Sequence, residues 1–117
     1  MISRRWLPPV LWAALILVLT SIPGLPSAPG GIPHLDKLVH LMLYAGLGWL
    51  TGRALRTRRP VALALAVAAI GVFGAFDEWH QEFFNRTPDL MDWVADMIGA
   101  SVGLITASRV SDVEPAS

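Results

Sequence analysis

The chain has 117 residues, of which 54% are hydrophobic and 15% charged, and its formal net charge is zero. An ordinary soluble domain carries about 25% charged residues, so this composition points away from a soluble surface and toward a membrane. The lack of cysteine excludes disulfides, thiolate metal sites and thiol catalysis, and the balanced charge offers no footprint for nucleic acid.

A spanning helix needs about 20 predominantly apolar residues, and four segments are read as spans. The first is 6–22, WLPPVLWAALILVLTSI. Its basic start and apolar core also resemble a signal peptide. Pro26 and Pro29 flank the candidate cut after Ala28, however, so the segment is expected to stay in the protein. The stretch 23–33 has four prolines and three glycines and reads as an irregular loop. The second span, 37–55, follows Asp36, a favoured N-cap type. RTRRP closes it, and Pro60 suits the first turn of the third helix. The third span, 61–83, reaches its length only by extending into DEWHQEF. NRTP, at 85–88, breaks the chain before the fourth span, 92–108. These spans make one domain over 1–108, an all-α integral membrane four-helix bundle, with a flexible cytoplasmic tail at 109–117.

The charges are segregated. With four spans, Arg4, Arg5, Arg53, Arg56, Arg58, Arg59 and Arg109 share one side, which the positive-inside rule makes cytoplasmic. The chain is therefore expected to be a multi-pass protein of the cell membrane with both termini in the cytoplasm. Lys37 and Arg86 are the outer cations, beside Asp36, Asp77, Glu78, Glu82, Asp89, Asp92 and Asp96. His34, His40 and His80 fall on that side as well. Trp79 and Trp93 are expected at the outer interface and Trp6 at the inner one; Trp12 and Trp49 lie deeper, with no role evident from sequence.

On a helix, residues three and four apart share a face. That stacks Asp36 over His40, Asp77 with His80 and Gln81, and Asp92 over Asp96. Asp77, Glu82, Asp89 and His34 are expected on a solvated rim, as helix ends readily carry charge. Asp96, Gln81 and His40 lie deeper, where ionisable groups need partners. A buried structural network is the competing explanation for these three. Gly48 with Gly52, and Gly99 with Gly103, are spaced to let helix backbones approach closely. No spacing matches an established metal signature such as His-Glu-x-x-His, so neither a metal nor another cofactor is expected. No serine lies beside a base in a triad-like pattern.

Three blocks carry a resemblance. DKLVHLMLYAGLG looks like the Asp-Lys-x-x-His block that opens the second span of the VanZ-like family. DEWHQEFFNRTPDLMD and DWVADMIGASVG are similar to that family's Glu-x-x-Gln…Arg and Asp-x-x-x-(Asn/Asp)-x-x-Gly blocks. These are small bacterial membrane proteins named for a glycopeptide (teicoplanin) resistance protein. The resemblance covers roughly residues 6–108 and singles out Asp36, Lys37, His40, Tyr44, Glu78, Gln81, Arg86, Asp92, Asp96 and Gly99. Asp96 stands where many members have asparagine. What the resemblance implies is a four-span bundle linked to the cell envelope.

The expected site is a polar pocket opening outward, walled by Asp36, Lys37, His40, Glu78, Gln81, Arg86, Asp92 and Asp96. Its expected partners, besides the bilayer, are a lipid-linked cell-wall precursor or a phospholipid headgroup, which the protein would bind or shield. One alternative is a membrane enzyme acting on a lipid headgroup, with Glu78 or Asp92 as base and His40 or His80 as acid. Another is a structural subunit of a membrane complex.

Overall fold

A computed structural model describes residues 4–20, 35–81 and 90–110. Four α-helices follow a short 3₁₀ turn at Arg4–Trp6: α1 (Leu7–Thr20), α2 (Leu35–Leu55), α3 (Pro60–Gln81) and α4 (Leu90–Val110). They form an all-α bundle. The loop expected at 23–33, the turn at 85–88 and residues 111–117 of the expected tail lie outside the described residues, as do His34, Glu82, Arg86 and Asp89. Arg109 and Val110, expected in that tail, instead continue α4.

Local chemistry explains the helix ends. Pro60 opens α3, where its missing N–H is no loss and its fixed φ already suits a helix. Arg56 follows α2 in the left-handed region, with φ of 54°. There its N–H donates to Gly52 O at 3.3 Å, satisfying one of the orphan carbonyls of the last turn. Arg58 then reaches α4, donating from Nε to Ser108 O at 2.7 Å and from its terminal nitrogen to Arg109 O at 3.2 Å. A cation on the last carbonyls of a helix also meets the negative end of its dipole. One expectation is corrected: α2 is described from Leu35, so Asp36 falls within its first turn and not before it.

The axes alternate in direction. Gly48 meets Ala100, Gly52 meets Leu104 and Ala107, and Gly103 meets Ala45 and Trp49, so α2 and α4 run parallel. Thr20 meets Asp77, and Trp6 and Ala62 line one end of a shared cleft, so α1 and α3 run together in the opposite sense. The α2–α4 seam is the tightest contact. A methyl at Gly103 or Gly99 would overlap the backbone of Ala45 or Leu41. Small residues permit this approach, and in lipid such close packing is what holds helices together.

Trp12 and Trp93 have structural roles that the aromatic pattern does not show. Trp12 Nε1 donates to Leu43 O at 2.8 Å, tying α1 to α2. Trp93 Nε1 donates to Gly71 O at 3.0 Å, tying α4 to α3. Trp93 is thus part of a helix contact, whereas Trp79 is exposed.

Pro60–His80 and Leu90–Val110 are long and apolar enough to cross a membrane. At 1.5 Å per residue, the 22 residues of α3 extend about 33 Å, close to the roughly 30 Å hydrocarbon core of a bilayer. Val61, Leu65, Val72, Ile98 and Val102 are exposed on these two helices. An apolar outer face of this kind suits lipid as its solvent.

Candidate functional site

The polar residues gather where the C-terminal turns of α3 meet the N-terminal halves of α2 and α4. His40 is 1% exposed and Asp96 is fully buried. His40 Nδ1 and Asp96 Oδ1 lie 2.8 Å apart in a buried hydrogen bond between α2 and α4. The other ring nitrogen, Nε2, faces Asp92 Oδ2 at 3.8 Å, beyond hydrogen-bond reach. Nε2 has no hydrogen-bond partner among the described residues. Lys37, half-buried at the edge, holds the other Asp92 oxygen, Oδ1, at 3.3 Å. Glu78 is buried and brings a carboxylate oxygen within 4.8 Å of ligand atoms of both His40 and Asp92.

Asp77, next to Glu78 on α3, has a different set of partners. It is fully buried and accepts from Thr20 Oγ1 at 2.6 Å and from Tyr44 Oη at 3.0 Å. The expected place of Asp77 on a solvated rim is therefore wrong. It joins α1, α2 and α3, and the reason is tertiary: its two donors come from other helices. Tyr44 lies nearly parallel to the His40 ring, with centroids 6.5 Å apart, and also touches Phe73. Thr20 gives no sequence signal of this role. Tyr44 does, since it sits four residues after His40 on the same helix face.

Of the residues expected to wall a pocket, the structure brings together Lys37, His40, Glu78, Asp92 and Asp96. Asp36 and Gln81 are described only by their places on α2 and α3, and Arg86 lies outside the described residues. His80 is half-buried against Phe76, with ring centroids 5.7 Å apart. Four carboxylates, Asp77, Glu78, Asp92 and Asp96, are buried within this small volume. Charges this deep are costly unless compensated.

A cleft of about 500 Å³ opens between α1, α2 and α3. Trp6, Leu47, Leu55, Ala66, Ile70 and Phe73 contribute to its lining, which is almost wholly apolar. Phe73 sits one turn from Asp77, so the cleft starts beneath the polar cluster and runs toward the arginine-rich end. Over Ala62 to Phe73 it follows α3 for about 17 Å.

No curated protein and no solved structure shows significant similarity to the chain. A family profile does match, over the described helices and the three blocks that contribute the buried cluster. The chain belongs to the VanZ/LLP1 family, whose profile matches residues 4–111, and it is a membrane protein of that type.

Proposed function

We propose that the protein crosses the membrane four times with both termini in the cytoplasm, and that it binds a lipid-linked component of the cell envelope. The alternating helix directions and the basic residues gathered at one end support this topology. Reporter fusions placed after Arg58 and after Thr87 should report opposite sides of the membrane. Finding both on one side would eliminate the four-span arrangement.

The observation that carries the lipid reading is the apolar cleft beginning one turn from the buried polar cluster. A headgroup would enter at the outer end, near Lys37, and its chain would follow the cleft. Arg86, an outer cation by the charge sorting, would suit a phosphate through its planar donor fork. From Asp77 to Ala62 is 15 helical steps, about 22 Å. Half of a roughly 30 Å core is about 15 Å, so the path is deeper than one leaflet and favours a long single chain. A polyprenyl phosphate or its sugar-linked form has that chemistry.

Ala66→Trp fills the cleft without touching the polar cluster. We expect it to reduce long-chain lipid co-purifying with the protein by about tenfold, the loss of one well-packed contact region worth about 1.4 kcal/mol. Equal lipid in wild type and variant, measured by mass spectrometry, would overturn the cleft's role. In cells, a deletion strain and an Asp92→Asn strain should differ from wild type in glycopeptide susceptibility and lipid-precursor composition. Unchanged values in both strains would remove the envelope reading.

A second reading, an enzyme acting on a lipid headgroup, draws on the His40–Asp96 hydrogen bond. A carboxylate on one ring nitrogen orients the other toward Asp92 and Glu78, the arrangement a general acid or base requires. Headgroup turnover by wild type, lost in Glu78→Gln, would distinguish it from simple binding.

A further inference from the structure

We infer that His40, Glu78 and Asp92 form a binding site for one divalent transition-metal ion of the zinc or manganese class. The three side chains come from α2, α3 and α4, and their ligand atoms lie within 4.8 Å of one another. All three are buried. This inference stands apart from the lipid reading, because it concerns only what the cluster itself holds.

The decisive feature is the histidine. Its ring is almost fully buried, yet Nε2 has no hydrogen-bond partner among the described residues and points at the Asp92 carboxylate. A buried polar atom left this way is costly unless something occupies the space before it. The opposite nitrogen, Nδ1, is held by Asp96 at 2.8 Å. A metal-ligating histidine almost always gives its second nitrogen to a carboxylate or carbonyl, which sets the tautomer and leaves the ligating nitrogen its lone pair. Asp96 thus acts as the orienting partner of a carboxylate–histidine–metal arrangement.

Distances and charge agree with this assignment. Metal–ligand bonds of about 2.1 Å in tetrahedral geometry separate two ligand atoms by roughly 3.4 Å. His40 Nε2 and Asp92 Oδ2 are 3.8 Å apart, so a small inward movement closes the site. Lys37 approaches Asp92 at Oδ1, and Oδ2 is the oxygen that faces His40 Nε2. Four buried carboxylates lie around His40, an anionic setting that suits a divalent cation. One imidazole and two carboxylates form a nitrogen–oxygen donor set suited to zinc or manganese.

A second grouping, His40 with Asp77 and Asp96, also comes within 4.8 Å. It is the weaker choice. Asp77 already receives Thr20 and Tyr44, and ligation there would compete with the His40–Asp96 hydrogen bond.

The test uses full-length protein in detergent, without a polyhistidine tag, stripped with a chelator and dialysed against Zn²⁺ or Mn²⁺. Elemental analysis should find one ion per chain in the wild type, and titration calorimetry should give its affinity. Asp96→Asn should weaken binding by about 10–100-fold, the usual effect of disturbing an orienting partner. Glu78→Gln and Asp92→Asn should weaken it at least as much, while His80→Gln should leave it unchanged. Helicity measured by circular dichroism identifies any variant that fails to fold, and the wild-type measurement needs no variant. Wild-type protein that retains neither ion overturns the site. So does binding that is equal in wild type, Glu78→Gln and Asp92→Asn, which would show an adventitious ion only.

Discussion

Gly103→Val should destabilise the bundle by at least about 3 kcal/mol, at the upper end of overpacking costs. The added Cβ would overlap Ala45 O and lie 2.8 Å from Trp49 N, both backbone atoms of α2. A flexible side chain can turn aside, but a helix backbone can only move away as a unit. Separating α2 from α4 then gives up the dispersion contacts of the whole seam, and in lipid no hydrophobic force restores them. Even Gly103→Ala should be costly, because the first methyl already collides. Gly71 offers the comparison. A Cβ there meets the Met97 Cε and Sδ atoms at 3.2 Å, the far end of a flexible side chain. Gly71→Ala should therefore be tolerated much better, within about 1 kcal/mol, in keeping with the adaptability of methionine. Denaturant unfolding in detergent, followed by circular dichroism, gives the order. Equal midpoints for the two alanine variants would contradict backbone contact at Gly103.

Asp77→Leu should destabilise the protein by about 1–3 kcal/mol, the cost of stranding a buried donor. The carboxylate accepts from both Thr20 and Tyr44. The two donors are not equally dependent on it. Thr20 Oγ1 also lies 2.8 Å from Ile16 O, one turn back on its own helix, so it has an alternative acceptor. Tyr44 Oη has none among the hydrogen bonds described, and its side chain is fully buried. Removing the phenol hydroxyl as well should relieve the penalty. The double variant Tyr44→Phe/Asp77→Leu should be less destabilised than the sum of the two single variants, a coupling of about 0.5–3 kcal/mol for groups in direct contact. Strict additivity would mean that Asp77 does not hold Tyr44.

Part of this site was visible in the sequence. Asp96 and His40 lie inside apolar segments, and the cost of an ionisable group there already calls for a partner. The structure pairs these two residues with each other, although they are 56 positions apart and no local spacing connects them. Asp77 misled for the opposite reason. It stands next to Glu78 near a helix end, where solvated charge is common, and its neighbours along the chain say nothing of Thr20 or Tyr44. Trp12 was equally opaque: its partner is a main-chain carbonyl on another helix, and any residue could supply one. The metal grouping had no signature because its members lie on three helices. Short motifs describe ligands on one turn or one helix.

The sequence by itself determined the helical character of the chain, the polar breaks between its apolar segments, the sorting of arginines from acids and the small-residue pairs that allow close contact. These follow from local rules, the 3.6-residue period and the cost of charge in apolar surroundings, which act on each segment alone. Only the tertiary structure decided which small residues meet, with Gly103 on Ala45 and Gly48 on Ala100. It also decided that Asp77 is buried, that His40 takes Asp96 on one side and faces Asp92 on the other, and that an apolar cleft lies one turn beneath them. Those choices depend on how helices rotate and slide against one another, and that is settled by backbone contact across the α2–α4 seam, between residues more than 50 positions apart.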